Sequence, residues 1–255
     1  MKTRIHIHPH YWMYKGFVED VPNEKYKREK TFCNRRNTVE WVKWGNKDVV
    51  IKRYKCPTWA NCLIYTWWRK TKARRAYEYA EELLKRGFDT AHPIAYIEIK
   101  TGGIFHTGYF ISELLPYPLM RDIPQMNLSD EEKALIGEDF IKYTANLHEK
   151  GIMPKDYNLG NIFFHKRGAH YHFALIDINR IKIGNTPKEK DSTLFFEQMG
   201  VSISQAIHCI EQYATLRGFD ADRCLFFIFL HRIHAYVRKR FKRHILHPLR
   251  IRVRK

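Results

Sequence analysis

A chain of 255 residues, 44% hydrophobic and 15% aromatic, carries enough apolar surface for one large domain or two packed lobes. This composition excludes a disordered or low-complexity chain. The net charge of +18 calls for an anionic partner, whether nucleotide, nucleic acid, phosphorylated glycolipid or membrane surface.

The five cysteines (Cys33, Cys56, Cys62, Cys209 and Cys224) form no C-x-x-C, so reduced thiols are expected rather than a disulfide framework or a zinc ribbon. The opening MKTRIHIHPHYWMYKG has no apolar core, and no signal peptide is expected. CLFFIFL at 224–230, the longest apolar run, is too short to span a bilayer. His6, His8 and His10 alternate, as exposed positions of a strand do, which accounts for them better than a metal site.

TVEWVKW and DVVIKRY flank Gly45-Asn46-Lys47-Asp48 and predict a hairpin with Lys52 beside its apolar run. Residues 58–86 read as helix in two pieces, with Thr71 capping KARRAYEYAEELLKR and Gly87 ending it. RKTKARR at 69–75 holds five basic residues, either a solvated face or a place for an anionic acceptor. IAYIEIK, Gly102-Gly103 and YFISELL predict a second hairpin, which runs into Glu113-Leu114-Leu115-Pro116 and a Pro-rich connector. A helix over 129–150 starts at Ser129, has Asp130, Glu131 and Glu132 in its first turn, and buries Leu135, Ile136, Phe140, Ile141, Tyr143, Ala145 and Leu147.

The stretch that follows carries the chemistry. Asp156 stands five residues before Asn161, and a short hairpin then ends its second strand, FALID, on Asp177. A protein-kinase catalytic loop has this spacing. One carboxylate orients or accepts the proton of an attacking hydroxyl. A second carboxylate and an amide oxygen are hard ligands for Mg2+ on a triphosphate. D-x-x-x-x-N alone would suit a capped surface loop; the preceding helix and the following Asp-ended strand make the pattern specific. Such a site also needs a strand lysine on the α- and β-phosphates and a helix carboxylate to aim it. Lys52 fits the first role, although an outward-facing strand lysine is the plainer reading of that residue alone. Glu78 is chosen for the second, with Glu81 and Glu82 on adjoining faces.

Residues 190–217 and 220–246 read as helical. CLFFIFL is apolar all round and is expected in the core, after which Ile233, Val237, Phe241 and Ile245 continue one stripe. Residues 231–255 hold ten Lys or Arg and no Asp or Glu, which suits an anionic membrane surface and also RNA.

LHEKGIMPKDYNLGNIFF, LIDINR, VVIKRY and AYEYAEELLKRGFDTAHPIAYIE together resemble the lipopolysaccharide kinase family of the Kdo/WaaP type, over roughly residues 31–185. The resemblance implies an α+β, bilobal protein-kinase-like fold: a small antiparallel-sheet lobe over 1–115 and a mostly helical lobe over 116–255, with ATP and Mg2+ between them. It implies phosphorylation of a sugar, Kdo or heptose, of the lipid A–core at the cytoplasmic face of the bacterial inner membrane. The basic C-terminal segment would meet that anionic surface, and no nucleic acid is expected as partner. By position, Asp156 matches the catalytic Asp, Asn161 and Asp177 the metal ligands, and Lys52 the phosphate-contacting Lys with Glu78 beside it. Glu113 and Leu115 would line the adenine link. The chain departs from the pattern at Pro154, where a His is usual, and at Ile178-Asn179 in the triplet that Asp177 begins. It also has no G-x-G-x-x-G; Asn34-Arg35-Arg36-Asn37 occupies that turn, and arginine side chains could meet phosphate there. Two rival readings share much of the sequence: a compact atypical protein kinase, and a non-catalytic basic module that binds membrane or RNA.

Overall fold

The computed structural model describes residues 1–35, 37–56, 58–199, 202–241 and 243–244. Its elements run β1 (Lys2–Ile7), α1 (Lys15–Asp20), β2 (Arg28–Asn34), β3 (Asn37–Trp44), β4 (Lys47–Lys55), α2 (Trp59–Trp67), α3 (Lys72–Lys85), β5 (Asp89–Thr90), β6 (Pro93–Thr101) and β7 (Ile104–Glu113). They continue with α4 (Asp130–Glu149), β8 (Ile152–Pro154), β9 (Ile162–Arg167), β10 (His170–Leu175), β11 (Ile181–Ile183), α5 (Glu189–Ser192), α6 (Ile203–Arg217) and α7 (Ala221–Phe241). The fold is α+β. Its contacts divide into two compact units: Met1–Met126 with Leu159–Arg167 and His172–Ile181, and Asn127–Asn158 with Gly168–Tyr171 and the described residues from Lys182.

The first unit is built on a six-stranded antiparallel sheet in the order β1-β6-β7-β4-β3-β2. Both expected hairpins form, β3 with β4 and β6 with β7. The N-terminal His residues lie on and after β1, which pairs with β6 along the sheet edge. His6 is held between rings, stacking on Tyr96 and meeting Tyr77 edge-on. Side chains alternate across the sheet with period two. One face buries Val42, Val49, Ile51, Ile97 and Ile111 against Phe17, Val18 and Val21 from around α1. The other receives α3, whose buried stripe is Ala73, Ala76, Tyr77, Ala80 and Leu83. Thr71 caps α3 as expected, its side chain accepting from the Arg74 amide at 3.2 Å. Gly108 on β7 lets this helix approach: a Cβ there would lie 3.1 Å from that of Ala73.

The cysteine expectation fails at one pair. The turn that starts α2 brings Cys56 and Cys62 to a Cα separation of 5.9 Å, and the two are joined as a disulfide. Six residues that include a helix start can fold back on themselves, a geometry that the absence of C-x-x-C does not exclude. Cys33, Cys209 and Cys224 are free thiols.

In the second unit α4 begins with a reciprocal capping box between Ser129 and Glu132 and buries Ile136, Phe140, Ile141, Ala145 and Leu147. After α4 the chain turns at Gly151, whose φ of +69° is left-handed. A Cβ at this glycine would stand 1.8 Å from the Gly184 carbonyl oxygen, so no other residue fits. The last helix departs from expectation. α7 buries only Cys224 and Ile228, while Phe226, Phe229 and Leu230 are exposed. Its neighbours α5, α6 and the 3-10 turn after α5 touch one stripe of it, so an all-round apolar run leaves most of its surface in water. Ile233, Val237 and Phe241 also face solvent; Ile245, Arg36 and residues 245–255 lie outside the described residues. No described helix is long and apolar enough to cross a membrane.

Candidate active site

The alternation of β4 that buries Val49 and Ile51 sends Lys52 and Tyr54 to the sheet face that carries α3. Lys52 Nζ donates to Asp177 Oδ1 at 2.6 Å, a contact across 125 positions of sequence. Burial disfavours the ammonium, but Tyr54 and the Asp177 carboxylate outweigh it, and the lysine pKa ends above its ordinary value. Burial in turn pushes the Tyr54 hydroxyl up to about 12.

Asp177 sits with φ 55° and ψ 39° at the start of a 3-10 turn over Ile178–Arg180. The left-handed region is uncommon for a residue with a Cβ, though Asp and Asn enter it more readily than most. The buried Asn179 donates from Nδ2 to the same Oδ1 at 2.5 Å. Both bonds fall on Oδ1, so among the described residues Oδ2 is left for a cation. Asn161 closes another 3-10 turn, and its carbonyl accepts from the Ile176 amide at 2.9 Å. That bond ties Asn161 to the residue preceding Asp177, at one end of the β9–β10 hairpin. β5 pairs in parallel with β10, and Thr90 Oγ1 donates to the Leu175 carbonyl at 2.6 Å, fixing the strand that delivers Asp177.

Among the described residues no three His, Cys, Asp or Glu side chains gather as a metal cage. One carboxylate and one amide oxygen still fit Mg2+, which keeps waters and takes substrate phosphates as its remaining ligands.

The Glu113 carboxylate is taken by Lys47 at 2.7 Å. Burial disfavours its charge, but Lys47 and Tyr11 win, and its pKa is lowered. Its amide donates to the His92 carbonyl and the Leu114 amide to that of Asp48, at 2.9 Å each. The Leu115 amide has no partner among the described residues, and Pro116 follows it.

The structure does not bring Glu78 to Lys52. Glu78 accepts from Arg74 at 2.9 Å and from Lys70 at 2.8 Å, and lies beside the buried stripe of α3 rather than on it. Glu81 accepts from Tyr77 and Glu82 from Arg86, so none of the three carboxylates holds the lysine.

Asp156 belongs to the second unit. Its carbonyl accepts from the Asn158 amide at 3.1 Å, which shapes the loop. The next residue is the anchor: Tyr157 is fully buried, packs between Phe140 and Phe195, and shares a 2.8 Å hydrogen bond with Thr144 of α4.

The profile of the lipopolysaccharide kinase (Kdo/WaaP) family matches residues 18–214, more than half of the sequence. The chain belongs to this family. No curated protein matches it. The solved structure described as WaaP in complex with acyl carrier protein shares 13% identity and covers 90% of this chain and 97% of its own, with a TM-score of 0.62, which shows a common fold. A co-crystal of WbdD with a kinase inhibitor shares 17% identity over 78% of this chain and 44% of its own, with a TM-score of 0.46.

The chain shares the α+β fold of the WaaP structure and, as a member of the lipopolysaccharide kinase family, is a phosphotransferase that acts on a sugar hydroxyl. Sequence reasoning named Asn179 only as a departure from the family pattern and did not single out Tyr157. An Asn two residues after an expected metal carboxylate was a usable signal, because its amide is short enough to turn back on that carboxylate. Tyr157 gave none, because burial of a residue between two loop polars is a tertiary fact.

Proposed function

We propose that this kinase moves the γ-phosphate of ATP to a hydroxyl of Kdo or heptose in the lipid A–core. The observation that carries the reading is the joined set in the first unit: Lys52 on Asp177 Oδ1, with Asn161 tied to Ile176. Mg2+, when bound, would neutralise charge on the triphosphate. Asp177 Oδ2 and the Asn161 side chain would hold it. Lys52 would turn to the α- and β-phosphates, and the Leu115 amide would meet adenine. Asp156 would accept the proton of the acceptor hydroxyl as that oxygen bonds phosphorus and the bond to the ADP oxygen breaks.

The acceptor's lipid would keep the reaction at an anionic membrane face, and the exposed residues of α7 support contact there. Ile233, Val237 and Phe241 stand beside Arg238, Lys239 and Arg240 on that helix.

Replacing Asp156 by Ala is expected to reduce radiolabel transfer from ATP to purified lipid A–core by about a thousandfold, with the melting temperature unchanged. Wild-type transfer by the variant would remove Asp156 from the mechanism. Label entering an offered protein but never the glycolipid would instead favour a protein kinase.

A further inference from the structure

Helix α2 is packed inside out. Ala60, Ile64, Trp67 and Trp68 recur at i, i+4, i+7 and i+8, the spacing that normally marks a core-facing stripe. Yet Ile64 is 40% exposed, Trp67 62% and Trp68 78%, with Trp59 at the start of the helix 71% exposed. The side turned to the protein is the more polar one. Thr66 Oγ1 accepts from the Phe105 amide at 2.8 Å, and Tyr65 meets the Phe105 ring edge-on at 5.7 Å. No residue of the helix is buried.

Charge surrounds this stripe without entering it. Positions 56–68 contain no charged residue. Exposed Lys55 precedes them, and exposed Arg69 and Lys70 follow. From Val49 to Tyr77 the chain has eight Lys or Arg and no Asp or Glu. An indole prefers the boundary where one edge is apolar and the other wet, and lysine and arginine near such a boundary attract anionic headgroups.

We propose that the exposed surface of α2 is a docking surface that seats in the headgroup region of an anionic bilayer, with Trp59, Trp67 and Trp68 inserted and Lys55 and Arg69 on the phosphates. The proposal deepens the reading of the acceptor as a membrane glycolipid, by giving the unit that carries Lys52 and Asp177 its own hold on the surface. A single-stranded RNA would also stack on indoles, but bases need cations interleaved along the aromatic face, and here the cations stand at the rim. An acidic protein would satisfy the rim but would leave three indoles requiring a matching groove.

The test uses the full chain with its C-terminal segment intact. Wild type, the triple variant Trp59→Ala, Trp67→Ala and Trp68→Ala, and the matching triple Phe variant are sedimented with vesicles of phosphatidylethanolamine and phosphatidylglycerol. All three substitutions are on exposed side chains, so melting temperatures should agree. The Ala variant should lose roughly tenfold in vesicle partition, and the Phe variant should regain most of it. Brominated lipids should quench the wild-type tryptophan fluorescence. Transfer to a delipidated, water-soluble acceptor should be equal in all three, so loss of the kinase reading and loss of this one give different results. Equal partition of wild type and the Ala variant overturns the proposal, as does protection from brominated lipid. Binding to single-stranded RNA that exceeds binding to vesicles, and that depends on the same indoles, also overturns it.

Discussion

Two donors converge on one oxygen at Asp177. Lys52 and Asn179 both bond Oδ1, from a strand and from the turn the aspartate itself begins. The backbone there is left-handed, which costs roughly 1 kcal/mol or more for a residue with a Cβ. The buried amide of Asn179 offsets part of that cost and fixes the carboxylate's rotation. Removing it leaves the ion pair but frees the carboxylate to turn. Asn179→Ala is therefore expected to raise the Mg2+ concentration needed for half-maximal rate and to lower kcat by about tenfold, with a stability loss near 1 kcal/mol. Both are read from initial rates against Mg2+ and from a denaturant titration. An unchanged Mg2+ dependence would mean that Lys52 alone positions the aspartate.

Elements declared themselves in the sequence wherever one local pattern was enough. Period-two strands around Gly45-Asn46 and Gly102-Gly103 gave both hairpins, and Thr71 and Ser129 gave two helix starts. The spacing of Asp156, Asn161 and Asp177 picks out the loop proposed as the site, and the structure ties Asn161 to the residue before Asp177 at one hairpin end. What stayed hidden depended on partners distant in the chain. α3 shows why. Its sequence offers three glutamates, and the choice among them rests on which face meets the sheet. Arg74 lies four residues before Glu78, the i,i+4 position at which a helix carboxylate finds a cation most easily. The lysine then takes Asp177 from another part of the chain. The run at 224–230 misled for the same reason, since hydrophobicity predicts burial only if neighbours exist to cover it. On this geometry Glu78→Gln should change kcat/KM by less than about threefold. It should cost no more than about 0.5 kcal/mol, because both of its ion pairs are partly exposed. A hundredfold loss of kcat/KM would restore Glu78 as the partner of Lys52 in the working enzyme.

At the scale of the whole molecule, a buried neutral histidine makes folding sensitive to acid. His148 lies inside the second unit, fully buried at the end of α4. Its Nδ1 shares a 2.7 Å hydrogen bond with the Tyr213 hydroxyl, its Nε2 has no partner among the described residues, and the Phe195 ring lies at 4.5 Å. Burial and then the Arg217 guanidinium pull its pKa from 6.5 down to about 3. In the unfolded chain the same imidazole takes a proton near pH 6.5. Between those two values the unfolded state binds more protons than the folded one, so stability falls as pH falls through that window. One such group gives a slope of at most about 1.4 kcal/mol per pH unit. Glu78 and Glu113, both held below the usual carboxylate range, begin to add their loss only as the pH falls into that range, so the interval above about 4.5 reports chiefly on histidine. His165, lowered mainly by burial, acts with the same sign. His148→Leu should remove most of the slope. The Tyr213 oxygen keeps the Arg217 donor at 2.7 Å after the change. Thermal unfolding of wild type and variant at half-unit steps from pH 7 to 4.5 checks this. Parallel curves would show that the imidazole is already protonated in the folded enzyme, or that the second unit opens to let it titrate.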